Sequence, residues 1–339
     1  MNLFRAPLLA LLLFATFTTA TAQAATLHIY SFRQPFLIEP ILAEFSKQSG
    51  IETRVVFAQE GLLQRLQREG RLSPADVVLT SDFFNLLELA EQGLTQPFQP
   101  TPALTDAVPA HLRDEANHWL ALTIRARSIY VAKDRQPAIS AIRYEDLAKP
   151  EYRGRICTRS GKHPYNLSLV ASLIVHHGEA WTEQWLRDVK ANLARKPQGN
   201  DRNQIAAIHQ GLCDVALGNS YYLGKMLDDP AMREAAEAVR ILFPNSNDRG
   251  THVNLSGAAI TRHAPNAVQA QQLLEFLASP TAQALYAELN MEYPVNPQVK
   301  PSALLQSWGS FNADPHPLSG IARHHRDALR LMDKVRFDL

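Results

Sequence analysis

Hydrophobic positions in the first hundred residues alternate between short apolar runs and helical periods. Residues 26–30 read as a strand. Pro35 then opens a helix in which Ile38, Ile41, Leu42 and Phe45 recur at the spacing of one buried face, and Gly50 closes it. A strand-like run at 51–57, a helical stretch at 62–69, a buried strand at 76–80 and a helix at 82–92 closed by Gly93 follow. This βαβαβ order predicts a mainly parallel sheet with helices on both faces. Further on, 120–131 is extended and rich in β-branched residues. Helices are predicted at 167–176, 181–192, 203–210, 266–277, 280–290 and 321–333, and strands at 214–217 and 239–243. No internal repeat, low-complexity tract or charge run breaks the pattern. The reading is two α/β lobes, an architecture that binds ligands at the carboxyl ends of its strands.

Composition narrows the class. At 339 residues and 46% hydrophobic, the chain is long enough for two domains, each with its own core. Lys+Arg 34 against Asp+Glu 33 leaves no basic excess, which argues against general nucleic-acid binding. Residues 1–24 read as a secretory signal: Arg5 supplies the positive start, 8–17 is apolar, and Ala22-Gln23-Ala24 offers small residues for cleavage. That stretch is short for a membrane span, and no later segment is long and apolar enough for one. An exported chain, not embedded in a membrane, is expected, and no cysteine near the cleavage point suggests a lipid anchor. Cys157 and Cys213 are the only cysteines, without CxxC, so one disulfide and two buried thiols both remain open.

The usual catalytic signatures are missing. No GxGxxG follows a strand, and GxxxxGK[ST], HExxH and GxSxG do not occur. The pairs His176-His177 and His324-His325 read as solvated residues on polar helix faces or ends. Nothing in the spacing of Asp and Glu selects a catalytic pair. A binding protein is the leading class and a secreted hydrolase the distant alternative.

The most informative stretches are Ser160-Gly161-Lys162-His163-Pro164-Tyr165-Asn166, Gly199-Asn200-Asp201-Arg202-Asn203-Gln204 and Gly218-Asn219-Ser220-Tyr221-Tyr222-Leu223-Gly224. With Phe243-Pro244-Asn245, Arg249-Gly250-Thr251-His252-Val253-Asn254 and Glu292-Tyr293-Pro294-Val295-Asn296-Pro297, they resemble the periplasmic ferric-ion-binding proteins that feed bacterial ABC importers. The likeness runs from about Leu27 to Pro297. It implies an α/β, two-lobed type II periplasmic-binding-protein fold with a hinge between the lobes. By that analogy 25–125 and 250–300 form the first lobe, and 126–249 with 301–339 the second. It also implies a periplasmic protein that delivers Fe(III) to the permease and ATPase of an iron importer and has no turnover of its own; a monomer is expected, since a lobe that must swing usually leaves its rim free. The same fold carrying another small solute (an anion, a polyamine or thiamine) is the alternative.

Matched by position, Tyr165, Tyr221 and Tyr222 fall where this family places tyrosine ligands. Ferric iron is a small hard cation that favours anionic oxygen, and a bound cation reverses the normal preference of a phenol for its neutral form. Binding should therefore release phenolic protons, and affinity should fall in acid. Adjacent residues of a regular strand face opposite sides, so Tyr221 and Tyr222 can share one ion only if the strand from Asp214 has already turned; Gly218-Asn219-Ser220 supplies turn chemistry. Arg125 matches an arginine that in some relatives holds a synergistic anion such as carbonate, and a guanidinium fork suits a planar oxyanion. Arg127 is the fallback, with a structural salt bridge as the plain reading of either, and Arg33 adds positive charge toward the anion. His163 is read as a neighbour of Tyr165, and Asn200, Asp201, Arg202 and Asn203 as residues that cap a helix and pin its loop.

The first lobe departs from the family pattern. Where relatives carry a His or Tyr ligand after the first strand, this chain has Phe32, which has no donor atom. Ser81 stands where some place a carboxylate, and Tyr30 reads as core. A site built mostly by the second lobe is the expectation, with the first contributing through the anion or solvent.

Overall fold

A computed structural model describes residues 26–136 and 138–339; the secretory signal read at 1–24 lies outside them. Ten strands run β1 (Thr26–Ser31), β2 (Glu52–Phe57), β3 (Val77–Thr80), β4 (Thr95–Gln96), β5 (Leu120–Ala132), β6 (Ile156–Cys157), β7 (Val215–Asn219), β8 (Val239–Leu242), β9 (Val253–Thr261) and β10 (Tyr293–Pro294). Their order is β2-β1-β3-β9-β5-β7-β6, with β4 on β9 and both β8 and β10 on β5. The pairs β1·β2, β1·β3 and β6·β7 are parallel. Where β9 and β5 enter, pairing is antiparallel. The sheet is thus mixed, which corrects the mainly parallel expectation. One reason is β5, which runs antiparallel to β7 and β8; the other is β9, whose residues Val253-Asn254-Leu255-Ser256-Gly257-Ala258-Ala259-Ile260-Thr261 mix polar and small side chains, so no apolar run or alternation marks it, yet every one is buried. Gly257 is required by contact rather than by backbone angle. A Cβ there would stand 2.4 Å from Leu86 Cδ1 and 2.6 Å from the Leu120 carbonyl oxygen.

The long strand β5 changes partner partway. Leu120 to Ala126 pair with β9, whereas Arg127 to Val131 pair with β7. One strand therefore belongs to both halves of the molecule. Helix Pro35–Ser49 buries Ile38, Ile41, Leu42 and Phe45 and ends at Gly50 in the left-handed region, as its periodicity predicts. Helix Pro164–His177 is buried over most of its length, and helix His325–Lys334 packs on it. Cys157 and Cys213 form a disulfide, Cα–Cα 5.9 Å, which resolves the alternative left open by spacing. It sits in the apolar cluster with Tyr130, Ile205 and Ile208. The histidine pairs are engaged rather than simply solvated. His176 Nε2 lies 2.7 Å from Asp314, His177 Nε2 lies 2.8 Å from Glu145, and the His325 ring lies tilted against Phe84 at 4.3 Å. Asp314 and Glu145 are distant in sequence, so helix position alone could not show them, whereas Asp327, 3.2 Å from His324 Nδ1, is a near neighbour on the same helix.

Candidate metal centre

A cavity of about 900 Å³ opens where the strands end. Five residues that cap helix N-termini line it: Gln34, Gly61, Asp82, His163 and Asn200. A sixth helix begins there with Tyr221. Helix N-termini carry unpaired backbone donors and partial positive charge, so this wall favours anionic groups.

Tyr165, Tyr221 and Tyr222 all line this cavity. Tyr165 is the second residue of helix Pro164–His177, following Pro164, and its backbone N–H donates to His163 Nδ1 at 3.2 Å. The His163 ring meets the Tyr165 ring edge-on at 4.5 Å. Burial and the nearby Arg159 push the His163 imidazole down to about 3, so it is neutral and can accept that bond. Tyr221 and Tyr222 open helix Tyr221–Asp228 directly after β7, their rings stacked at 4.1 Å. The turn falls at Ser220. Its N–H donates to the Ala126 carbonyl at 3.0 Å, and its hydroxyl accepts from the Ala126 N–H at 3.3 Å. Gly218 and Asn219 remain in β7, and Gly218 is there for clearance, because a Cβ would stand 2.5 Å from the Tyr130 ring. The adjacent tyrosines thus leave the strand before its alternation could separate them.

Burial raises the Tyr221 phenol well above its ordinary value, the neighbouring Tyr165 and Tyr222 raise it further, and Arg125 pulls it back. Burial likewise raises Tyr222, with Tyr165 and Asp201 adding to it. Both are neutral phenols in the free protein at pH 7 and need a cation to ionise. Among the described residues no group of three His, Cys, Asp or Glu could hold a metal ion.

Behind the tyrosines lies a buried triad. Arg127 Nη1 donates to Asp201 at 2.7 Å and to Asn219 at 3.1 Å, its Nη2 donates to Asn166 at 2.5 Å, and Arg159 donates to the other Asp201 oxygen at 2.7 Å. Burial alone would raise the Asp201 carboxyl, but Arg127 and Arg159 overcome it and hold it below its ordinary value. Arg127 does not line the cavity and makes the structural salt bridge. It touches the neighbours of all three tyrosines: Asn166 follows Tyr165, and Asn219 stands two residues before Tyr221. Asn200 and Asn203 form a capping box on helix Asp201–His209, as their spacing suggests. Arg202 lies over the Tyr222 ring at 5.8 Å.

Arg33 and Arg125 line the opposite wall. Both are buried, and both approach Glu292, a residue quoted above within a motif but given no role in the site. Arg33 Nη2 donates to both Glu292 oxygens at 3.1 and 3.0 Å, Thr123 Oγ1 donates to one of them at 2.7 Å, and Arg125 Nη1 stands 3.8 Å away. Arg125 Nη2 donates to the Ser81 carbonyl. Arg33 Nε and Nη1 and Arg125 Nε have no protein partner. Phe32 and Ser81 both line the cavity. Tyr30 is fully buried and donates to Glu69 at 2.9 Å, a core role.

Residues 72–308 match the family described as bacterial extracellular solute-binding protein, and the chain belongs to that family. It is 41% identical over 320 residues to iron uptake protein A2 of Synechocystis sp., across 93% of this chain and 91% of that protein. Its structure overlays on the apo ferric ion-binding protein A of Pasteurella haemolytica with a TM-score of 0.89 and 48% identity, covering 93% of this chain and 99% of that one. A Trichodesmium protein solved with iron and citrate overlays with a TM-score of 0.86 and 38% identity, covering 92% and 100%. The fold is the two-lobed type II binding-protein fold of these structures. Its relatives are iron-binding proteins of uptake systems.

Proposed function

We propose that the chain is a periplasmic receptor that captures Fe(III) as tyrosinate complexes of Tyr165, Tyr221 and Tyr222 and delivers it to an ABC importer. One observation carries this reading: three tyrosines from the first turns of two helices line one cavity that several other helix N-termini also line. Three phenolates would neutralise the charge of a ferric ion, and the helix dipoles favour the ionised oxygens. Arg125 and Arg33 would hold a synergistic anion such as carbonate in positions the phenolates leave open, since their unpaired N–H groups lack a protein acceptor. Phe32 offers no donor, so the metal contacts come from the second lobe. We read that lobe as 126–249 with 301–339 and the first as 25–125 with 250–300, in keeping with the change of partner along β5 after Ala126. Among the described residues no helix is long and apolar enough to cross a membrane, which fits a receptor that hands its cargo to a separate permease.

The mature chain mixed with ferric citrate should develop a phenolate-to-iron charge-transfer band that survives desalting. Tyr221→Phe combined with Tyr222→Phe should bleach it. A colourless wild-type mixture with no retained iron overturns the reading.

A further inference from the structure

The three tyrosines are not held alike. Tyr221 is buried, and the strand before it is paired into the sheet as far as Asn219. Tyr165 is half-buried and follows residues 158–163, which belong to no helix or strand. That stretch folds around the Asn166 side chain, whose amide nitrogen lies 3.1 Å from Thr158 Oγ1, 3.2 Å from the Arg159 carbonyl and 3.0 Å from the Ser160 carbonyl. The Ser160 carbonyl also accepts from the His163 N–H at 3.2 Å. From outside, one side chain takes hold of the stretch. Asp338 follows helix His325–Lys334; one of its oxygens accepts from Ser160 Oγ at 2.6 Å and the other from the Gly161 N–H at 2.7 Å. The segment that carries Asp338 is itself fixed. Lys190 Nζ donates to the Val335 and Arg336 carbonyls at 3.2 and 2.5 Å, and the Phe337 N–H donates to the Met332 carbonyl at 3.1 Å. Met332 and Phe337 are buried and close over Gly161, where a Cβ would stand 2.6 Å from Met332 Sδ and 2.8 Å from Phe337 Cδ1. The neighbouring pair of Lys162 and Asp333 is exposed and adds little.

We infer that Asp338 is a positioning residue for iron capture, which holds Ser160 and Gly161 so that the first turn of helix Pro164–His177 presents Tyr165 toward Tyr221 and Tyr222. The inference rests on the reading of Tyr165 as a metal ligand. A carboxylate that accepts two hydrogen bonds from adjacent residues fixes both the place and the direction of the backbone between them, and charge-assisted bonds are the stronger kind. The path to the phenol is short: Asp338 holds Ser160, the Ser160 carbonyl meets Asn166 and His163, and Tyr165 lies between those two. Cutting the hold removes no ligand atom. The helix stays in place through its buried residues from Asn166 to Ile174, but its first turn gains freedom. Partners that orient a ligand from outside the metal's own contacts change affinity by about 10–100-fold.

The test compares Asp338→Asn with wild type in three measurements on the mature chain: chelator competition for iron, the charge-transfer band, and amide hydrogen exchange of the iron-free protein. Asp338→Asn should weaken iron binding roughly tenfold, shift the band and speed exchange at Tyr165 and Asn166. Ser160→Ala cuts half of the same hold without changing charge. It should give a smaller shift in the same direction, and it supplies the test if Asp338→Asn fails to fold. The double variant should lose no more affinity than Asp338→Asn alone, because Ser160 acts through Asp338. Glu183→Gln is the control: it cuts the contact of Lys334 with helix Glu179–Asn192 and leaves 160–163 untouched, so band and affinity should stay as in wild type. A coloured wild type whose Asp338→Asn variant keeps band, affinity and exchange overturns the inference and leaves the tyrosine reading standing. A loss of affinity with an unmoved band and unmoved exchange, or an equal loss in Glu183→Gln, makes Asp338 a general stabiliser and overturns it too. A colourless wild type sinks the tyrosine reading itself.

Discussion

Two arginine–carboxylate–arginine triads flank the tyrosines, and they are built to different tolerances. In Arg127–Asp201–Arg159 each guanidinium takes its own carboxylate oxygen at 2.7 Å, and Arg127 spends its remaining terminal nitrogen on Asn166. In Arg33–Glu292–Arg125 only Arg33 is tightly bound, Arg125 stands back at 3.8 Å, and both arginines line the cavity. The first is a frame that shares its carboxylate evenly, one arginine on each oxygen, although Arg127 Nε and Arg159 Nε lack a partner and Arg159 also lines the cavity. The second holds its carboxylate from Arg33 and Thr123 and leaves Arg125 at a distance. The two clusters therefore differ in how the carboxylate is shared, not in charge or in residue types.

That contrast can be broken from the frame side first. Asp201→Asn leaves two buried guanidiniums facing each other and should cost about 3–5 kcal/mol of stability, read from the denaturation midpoint. The same triad sets an acid limit. Because the Asp201 carboxyl lies below its ordinary value when folded, its stabilisation is complete above the unfolded value of about 4 and is lost as pH falls through the folded one. Glu145 behaves likewise. Burial opposes its ionisation, but Asn245, Arg249 and His177 hold it down to about 2, so its share disappears between about pH 4 and 2. Acid titration of stability should show a steep fall there that Glu145→Gln flattens.

Next in size, Arg127→Lys should weaken iron binding by roughly 10–100-fold without removing a metal contact, because the tyrosine neighbours Asn166 and Asn219 lose their shared donor. Competition with a chelator measures it, and an unchanged affinity would demote the frame to packing. Iron uptake should also release protons, because Tyr221 and Tyr222 start as phenols with raised proton affinity; affinity should fall steadily with acid, as titration in buffers of different ionisation enthalpy would show. Phe32→Tyr is the smallest change, expected to tighten iron a few-fold or shift the charge-transfer band by adding a phenol on the arginine side. Neither effect would place residue 32 out of reach of the metal.

Much of this could be read from the chain before the structure was known. The buried face of helix Pro35–Ser49 and the capping box at Asn200 and Asn203 are local patterns, fixed by periodicity and hydrogen-bond chemistry within a few residues. The tyrosine positions came from motif likeness rather than from patterning, because nothing in spacing tells a buried aromatic pair from one beside a cation. The strand β9 escaped because its polar residues are satisfied by distant partners: Asn254 accepts from the Phe83 N–H at 3.1 Å, and Ser256 meets Thr123 at 2.5 Å. Glu292 escaped for the same cause, since both arginines it holds lie more than 160 positions away in sequence, Arg33 at a separation of 259. The mixed sheet follows from β9 together with β5, which also runs antiparallel to β7 and β8.

Arg125 and Arg127 stand two residues apart on β5, so their side chains leave the strand on one side, yet they join different triads across the point where the strand changes partner. Any torsion of those three residues would turn Arg125, the proposed anion contact, against the Arg127 cluster behind the tyrosines. On the proposed function, the hold on the cargo and the turn of one lobe against the other would share one short piece of backbone.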